Sequence, residues 1–254
     1  MVDAFPPVLS FDVIDSTNAE ARRRAEAGEA GPLWITAAVQ TAGRGRRGRA
    51  WDTRRGNLAA TLLTTTDKSP AEAAQVSFLA AFAIRDLACA YVPESLVRLK
   101  WPNDVLVEGR KLSGVLVESG RMSDGALWLA IGMGVNLAHA PTGTERPATA
   151  LADHLRRDIA APPTPQEALA ILAPALYAHM DRWTREGFAG LRTEWLSHAA
   201  GVGEACVARL DSETVEGVMQ GLDTDGALVL RLSSGSTRRI SAGDVFFPQT
   251  QGTL

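Results

Sequence analysis

The sequence predicts an α+β protein, in which a mixed sheet with flanking helices is followed by a small all-β module. Through about residue 198, short β-type runs alternate with longer segments whose apolar residues recur at helical spacing. From Gly201 onward the chain consists of short β-runs separated by turn sequences. These observations predict a larger domain at residues 1–200 and a smaller one, a little barrel, at residues 201–254.

Composition restricts the class of protein. The chain has 254 residues, of which 46% are hydrophobic and 22% charged, and these proportions favour a globular fold with a substantial core. A net charge of −3 argues against general nucleic-acid binding. The two cysteines have no metal-site spacing, and we find neither a secretory signal pattern nor an apolar run of membrane-spanning length. We therefore expect a cytoplasmic protein without a membrane partner.

The first predicted strand, residues 8–14, leads into a helix that starts at Ser16-Thr17-Asn18. Thr17 and Glu20 have capping-box spacing, so these polar residues can serve simply to start the helix. Alternatively, hydroxyl and amide groups at a strand-to-helix junction can bind a polar ligand. The two interpretations are compatible, because one side chain can cap while its neighbours face a pocket.

The remaining elements follow from periodicity and turn residues. Gly132 and Gly134 lie inside a predicted strand, where they indicate either a bulge or the close approach of a ligand or backbone. Residues 141–149 are polar and predict a surface loop. Further strands are predicted at residues 33–39, 57–63, 97–101, 105–107, 111–118, 127–137, 205–210, 215–222, 227–232, 237–240 and 245–247, and helices at residues 70–91, 165–186 and 191–198.

The most unusual segment is GRGRRGR at residues 43–49, which we call the arginine loop. Its three glycines and four arginines cannot build a core, and guanidinium groups suit carboxylate and phosphate oxygens. The loop joins two predicted strands, a usual place for ligand contacts. Its glycines and mutually repelling arginines predict a segment that becomes ordered, and protected from trypsin, when an anion binds.

Other polar groups could complete a cationic site with the arginine loop. Such a site has few groups able to act as a base, and the sequence shows no serine–histidine pairing, histidine/cysteine metal cage or Walker lysine motif. Cations alone suit the joining of two anions, such as a carboxylate and a nucleotide triphosphate with magnesium. Trp51 could provide a flat face for a base, although a tryptophan is more often core. The other candidates are Lys100, Asn103, Asp104, Lys111 and Asn136.

The rival hypothesis is that the arginine loop contacts nucleic acid. Against it, the basic run is short, lies within a predicted sheet and has no matching helix-turn-helix or aromatic RNA platform.

Five motifs together resemble the biotin–protein ligases. They are DSTN (15–18), QTAGRGRRGRAW (40–51), KWPND (100–104), KLSGVLVE (111–118) and IGMGVN (131–136). The resemblance implies a class II synthetase-like catalytic domain and a small SH3-like C-terminal barrel. It implies that biotin and MgATP form biotinyl-5′-AMP, from which biotin passes to a lysine of the biotin carboxyl carrier protein of a carboxylase. It implies no resident metal ligands.

The resemblance also implies residue roles, with Lys111 and Arg46 as the catalytic groups. The role of Asp104 is open, since it can act through magnesium or order the turn. The implied biotin contacts are Ser16, Thr17, Asn18, Gln40, Arg44, Gly45, Arg46, Lys111, Gly114 and Leu116. The implied ATP or adenylate contacts are Arg44, Arg46, Arg47, Arg49, Trp51, Lys100, Asn103, Asp104, Lys111 and Asn136.

Some members of this family carry a DNA-binding domain ahead of the Ser-Thr-Asn motif. Only fifteen residues precede Ser16 here, so we expect a ligase that is not a repressor and does not bind DNA. The related lipoate and octanoate ligases and transferases remain the alternative within the same fold, although they are expected to lack the arginine loop.

Overall fold

The computed structural model describes residues 5–247, which contain two β-sheets. In the larger, seven-stranded sheet, β1 pairs in parallel with β2 and all other neighbours are antiparallel, so the sheet is mixed, as predicted. Its spatial order is β1-β2-β3-β7-β6-β5-β4. The strands are β1 (Val8–Ile14), β2 (Leu33–Gln40), β3 (Leu58–Thr66), β4 (Val97–Lys100), β5 (Asp104–Val107), β6 (Arg110–Arg121) and β7 (Leu127–Val135).

Helices pack on both faces of this sheet. Successive residues of each strand point to opposite faces, and apolar residues on both faces pack against helices. Trp34 and Leu62 belong to the core cluster that includes the long helices, whereas Ile35 and Leu63 pack with the first helix. The helices are α1 (Thr17–Glu26), α2 (Pro70–Ala73), α3 (Val76–Tyr91) and α4 (Pro165–Ser197).

Two details of the predicted helices are wrong. The Ser16 hydroxyl, and not that of Thr17, caps α1 by accepting the Ala19 N–H at 3.4 Å. The predicted helix at residues 70–91 is two helices, α2 and α3. Periodicity detects apolar faces but not a local break such as the one between α2 and α3. The break predicted between helices at residues 165–186 and 191–198 is confirmed, because α4 is interrupted at Gly187, which has a φ of 66°.

The α2–α3 segment also corrects the expectation that no apolar run has membrane-spanning length. By length and composition Pro70–Tyr91 passes that test, with a mean hydropathy of 1.4 over 18 residues. However, 72% of that window is buried, against the sheet and α4. This burial is typical of a core helix.

The C-terminal module is a five-stranded antiparallel sheet in the order β11-β10-β9-β8-β12, consistent with the predicted SH3-like barrel. It packs on the larger domain, where the Trp101 indole N–H donates to the Gly226 carbonyl at 3.0 Å. This packing brings the final strand to the edge of the functional site. The strands are β8 (Ala205–Arg209), β9 (Thr214–Leu222), β10 (Leu228–Arg231), β11 (Thr237–Ile240) and β12 (Asp244–Phe246).

Candidate active site

A cavity of about 400 Å³ gathers nearly all of the candidate residues. The start of α1, the arginine loop, β5 to β7 and the loop at residues 141–148 surround it. Of the predicted residues, it is lined by Ser16, Thr17, Asn18, Gln40, Arg44, Gly45, Arg46, Arg49, Trp51, Asn103, Asp104, Lys111, Gly114, Leu116 and Asn136.

A hydrogen-bonded polar group forms one end of the cavity. The backbone N–H and the hydroxyl of Thr17 both donate to Gln40 Oε1, at 2.8 and 3.1 Å. The Gln40 amide in turn donates to the Thr53 hydroxyl at 2.9 Å. Thr61 Oγ1 lies 2.8 Å from Thr17 Oγ1. These contacts explain why Thr17 does not cap the helix, since its hydroxyl is engaged across the sheet.

Asn18 is fixed on the neighbouring side of the same polar end. Its amide nitrogen donates to the Leu116 carbonyl at 3.2 Å and to Glu118 Oε2 at 2.9 Å. Its Oδ1 lies 2.8 Å from the Thr61 hydroxyl. A ligand here meets side chains already held in place, which lowers the entropy lost on binding.

The two glycines of β7 make room for site side chains. A Cβ at Gly132 would lie 2.0 Å from Asn18 Oδ1, and a Cβ at Gly134 would lie 2.3 Å from the Trp51 ring. Pairing of β7 with β3 and β6 is regular through both positions. Of the two alternatives, a bulge is therefore wrong. The groups that approach these glycines are the side chains of Asn18 and Trp51, where the sequence indicated a ligand or backbone.

The arginine loop is a short hairpin. Arg44 bridges to Ala50, and the Gly45 N–H donates to the Arg49 carbonyl at 2.7 Å. At its tip, Arg47 has a φ of 56°, a left-handed conformation that changes the direction of the backbone at this residue. The hairpin reaches the sheet through Arg44, which donates to Glu118 Oε1 at 3.3 Å.

Arg46 extends from the hairpin to the base of the cavity. Its guanidinium donates to Asn103 Oδ1 at 3.2 Å, and the Asn103 amide donates to the Val115 carbonyl at 2.6 Å. Burial lowers the pKa of Arg46, but a guanidinium stays charged at neutral pH. Arg46 is thus a partly buried cation held by a neutral amide.

Asp104 connects two cations at the centre of the cavity. Lys111 Nζ lies 2.6 Å from its Oδ1, and Arg146 donates to its Oδ2 at 3.2 Å. The Asp104 side chain is only 5% exposed. With both oxygens engaged, this carboxylate orders the cations around it. Lys111 Nζ also lies 5.7 Å from the Trp51 ring centroid.

Arg146 and Asp244 also line the cavity, although the sequence did not indicate either as a site residue. Arg146 belongs to the polar segment at residues 141–149, which the sequence indicated as a surface loop, whereas the structure folds much of it against the site. Asp244 comes from β12 of the C-terminal module. Neither residue lies in a motif, so no local signal could have identified it.

Comparison with known proteins identifies the family. The profile of the Biotin/lipoate A/B protein ligase family matches residues 10–136, and that of the Biotin protein ligase C terminal domain matches residues 201–247. The biotin--[acetyl-CoA-carboxylase] ligase of Paracoccus denitrificans is 41% identical over 237 residues, which are 92% of this chain and 97% of that protein. The chain belongs to the biotin protein ligase family.

Solved structures of this family share the fold. A biotin protein ligase from Aquifex aeolicus in complex with biotin and ATP has a TM-score of 0.76 and 23% identity, covering 96% of this chain and 99% of that one. The Leishmania major biotin protein ligase in complex with biotinyl-5-AMP has a TM-score of 0.66 and 25% identity, covering 94% and 100%.

Two predicted ATP contacts of this biotin protein ligase do not line the cavity. Arg47 points to the C-terminal module, where it contacts Asp211, Asp244 and the Arg209 carbonyl. Lys100 is buried behind the cavity, with its Nζ 5.8 Å from the Phe246 ring centroid. The motif alone could not show which cations face inward.

The charge on Lys100 makes a testable contribution to stability. Burial, with repulsion from Arg146 and Lys111, lowers the pKa of this ammonium to about 8 from 10.5. The unfolded chain therefore binds this proton more tightly, and the free energy of unfolding rises with pH between about 8 and 10.5 through this group. Below pH 8 the penalty for burying the charge is constant.

Between pH 8 and pH 10, we expect the free energy of unfolding of the wild-type protein to rise by roughly 1–2 kcal/mol relative to that of Lys100→Met, measured by urea unfolding. Lys68→Met, at a less buried lysine, serves as the comparison variant for the loss of a lysine. If the free energies of unfolding of the wild-type protein and Lys100→Met differ by the same amount at both pH values, the pKa of Lys100 is not lowered.

The carboxylate oxygens of the cavity suit magnesium that is bound together with a phosphate substrate. Within residues 5–247 no three His, Cys, Asp or Glu side chains are placed to hold a metal. Magnesium is commonly bound through one or two carboxylates and substrate phosphates. Asp104 is the buried carboxylate at the centre of the cavity that could contribute, and MgATP would supply charge neutralisation between its phosphates.

Proposed function

We propose that this biotin protein ligase activates biotin with ATP as biotinyl-5′-AMP and transfers the biotinyl group to a lysine of a carrier protein. The observation that carries the proposal is the two-ended cavity. A neutral hydrogen-bonding group, Thr17, Asn18 and Gln40, forms one end, and the cations Arg46, Lys111 and Arg146 lie toward the other. The named functions of the relatives support this division.

In the first step, a biotin carboxylate oxygen forms a bond to the α-phosphorus of ATP. The bond from that phosphorus to the oxygen that bridges it to the β-phosphorus breaks, and pyrophosphate leaves. Both reactants are anions, so Arg46 and Lys111 act by screening their repulsion and stabilising charge on the α-phosphate oxygens. Asp104 keeps Lys111 in place, because it holds the ammonium at 2.6 Å.

In the second step, the neutral amine of the carrier lysine attacks the biotinyl carbonyl. The bond between that carbonyl carbon and the AMP oxygen breaks, AMP leaves with its electron pair, and the attacking nitrogen loses a proton to solvent. Lys111 again stabilises the phosphate oxygens of the departing AMP. Adenylation thereby makes an amide bond accessible from a carboxylate, which is otherwise a poor acyl donor.

The remaining cavity residues have positions that suit the roles implied by the sequence resemblance. We assign biotin binding to Ser16, Thr17, Asn18, Gln40, Arg44, Gly45, Gly114 and Leu116, which surround the polar end and the adjoining strand β6. We assign the nucleotide to Trp51, Asn103, Asn136 and Arg49. Trp51 offers a ring face for the base, and Arg49 a guanidinium for phosphate.

We further propose a biotin carboxyl carrier protein as the acceptor, and the cytoplasm as the site of action. The relative from P. denitrificans is named for an acetyl-CoA carboxylase, which supports the first proposal. Cys89 and Cys206 are free thiols, which supports a reducing compartment. We place the domain boundary near Gly201, directly after α4.

Pyrophosphate release with MgATP and either biotin, lipoate or no acid tests this function, with the small-molecule product identified by mass. With MgATP present, we expect pyrophosphate release with biotin but not with lipoate or without an acid, and a product of the mass of biotinyl-AMP. Release with lipoate in preference to biotin would move the chain to the lipoate branch of the fold. No release with any acid, together with salt-sensitive binding to DNA or RNA, would favour the nucleic-acid hypothesis.

A further inference from the structure

The C-terminal module reaches the active-site cavity through one side chain. Among the described residues of the module, 201–247, Asp244 alone lines the cavity. It is the first residue of β12 and is 5% exposed. A carboxylate buried at a domain boundary is costly unless cations neutralise it, so its partners indicate what it does.

Those partners belong to the arginine loop. Asp244 Oδ2 accepts from Arg47 at 3.2 Å and from Arg49 at a still closer contact. Burial alone would raise the pKa of Asp244, but these guanidinium groups, with Arg146 and Arg46 nearby, hold it below its usual value. Asp244 is therefore an anion shared between two arginines of a loop in the other domain.

The two arginines have different surroundings. Arg47 is attached to the module a second time, through Asp211 and the Arg209 carbonyl at 3.1 Å, and it does not line the cavity. Arg49 does line the cavity, and Asp244 is its only side-chain ion-pair partner among the described residues. Arg47 thus fixes the hairpin to the module, while Arg49 lies between Asp244 and the space for an anionic ligand.

The same two strands, β8 and β12, hold the second loop of the site. Arg209 forms an ion pair with Glu145 at 2.8 Å, and the Arg146 guanidinium carbon lies 4.2 Å from the Phe246 ring centroid. Both cation-bearing loops at the cavity are consequently attached to one edge of the module. Asp244 is the contact that also faces the cavity.

We propose that Asp244 is a positioning residue, which holds the arginine loop closed over the phosphates of the nucleotide and so makes adenylation depend on the C-terminal module. This inference rests on the proposed function. Asp244 does not contact the reacting atoms; it acts through Arg49, whose guanidinium it orients. The competing explanation is that the ion pairs only stabilise the packing of the two domains.

Asp244→Asn separates these explanations, because it keeps the shape of the side chain and removes its charge. We expect trypsin to cleave the variant after Arg47 and Arg49 faster than the wild-type protein, with less protection by MgATP plus biotin. We expect kcat/KM for MgATP in pyrophosphate release to fall about 10–100-fold, since small misplacements of catalytic groups have effects of that size. The Kd for biotin alone, measured by calorimetry, should weaken much less than this, because of its assigned contacts only Arg44 and Gly45 lie on the arginine loop.

Two matched variants complete the experiment. Asp211→Asn removes the other carboxylate on Arg47, but that side chain is 95% exposed and off the cavity, so cleavage and rates should stay close to wild type. Asp244→Glu restores the charge and should recover much of the protection and of kcat/KM for MgATP.

Wild-type cleavage and rates in Asp244→Asn would overturn the proposal. Equal losses for biotin and MgATP, with a lowered Tm and no recovery in Asp244→Glu, would also overturn it in favour of a purely structural contact. If the wild-type protein releases no pyrophosphate, the proposed function fails, whereas the trypsin comparison still decides whether Asp244 holds the loop.

Discussion

Lys111→Ala is expected to lower the rate of biotin-dependent pyrophosphate release by about 10²–10³-fold, the usual effect of removing one preorganised electrostatic group. Lys111 lines the cavity, and its ammonium is held at 2.6 Å by a carboxylate that is almost fully buried. Its charge is therefore fixed before the substrates arrive. Without it, repulsion between the biotin carboxylate and the α-phosphate is screened only by the arginines of the cavity, among them Arg46, Arg49 and Arg146.

The fold should survive this substitution. Lys111 is 25% exposed and contributes little apolar burial, and Arg146 continues to neutralise Asp104. We expect a stability loss of roughly 1–3 kcal/mol from the weakened pairing of a buried carboxylate, and an unchanged circular dichroism spectrum. Lys68→Ala, on the α2 side of the molecule, controls for loss of a lysine. Wild-type rates in Lys111→Ala would remove this residue from the mechanism.

Gly132→Ala and Gly134→Ala are expected to impair different substrates. A Cβ at Gly132 meets Asn18 Oδ1 at 2.0 Å, and one at Gly134 meets the Trp51 ring at 2.3 Å. The strand cannot retreat, because β7 is hydrogen-bonded on both sides, to β3 and β6. The side chains must move instead, at a cost of about 1–3 kcal/mol, typical for overpacking.

The expected result is about a 10–100-fold weaker Kd for biotin in Gly132→Ala and a similar rise in KM for MgATP in Gly134→Ala. Calorimetry with biotin alone and pyrophosphate release at saturating biotin measure the two effects. Each variant is the control for the other, since both add one methyl group to the same strand. The same loss of both substrates in both variants would contradict separate biotin and nucleotide ends.

The sequence determined the features that depend on local pattern. The strand at residues 8–14 was predicted at its observed bounds because β-type residues ended at a polar junction. The change at Gly201 to short β-runs separated by turn sequences distinguished the C-terminal β-strands from the larger domain of helices and strands. The motifs also identified the family, because the arginines, lysines and glycines that can bind anions occur at characteristic spacings within short segments.

Tertiary structure alone decided which cations face the cavity and what holds them there. The arginine loop contains four closely spaced arginines that could face the cavity. Only the left-handed turn at Arg47 and its contacts with Asp211 direct that residue away from the site. Arg146 and Asp244 lie outside every motif and enter the site because a loop and a second domain fold over it. Local sequence encodes backbone preference and charge, whereas the pairing of charges across domains depends on packing that no single segment contains.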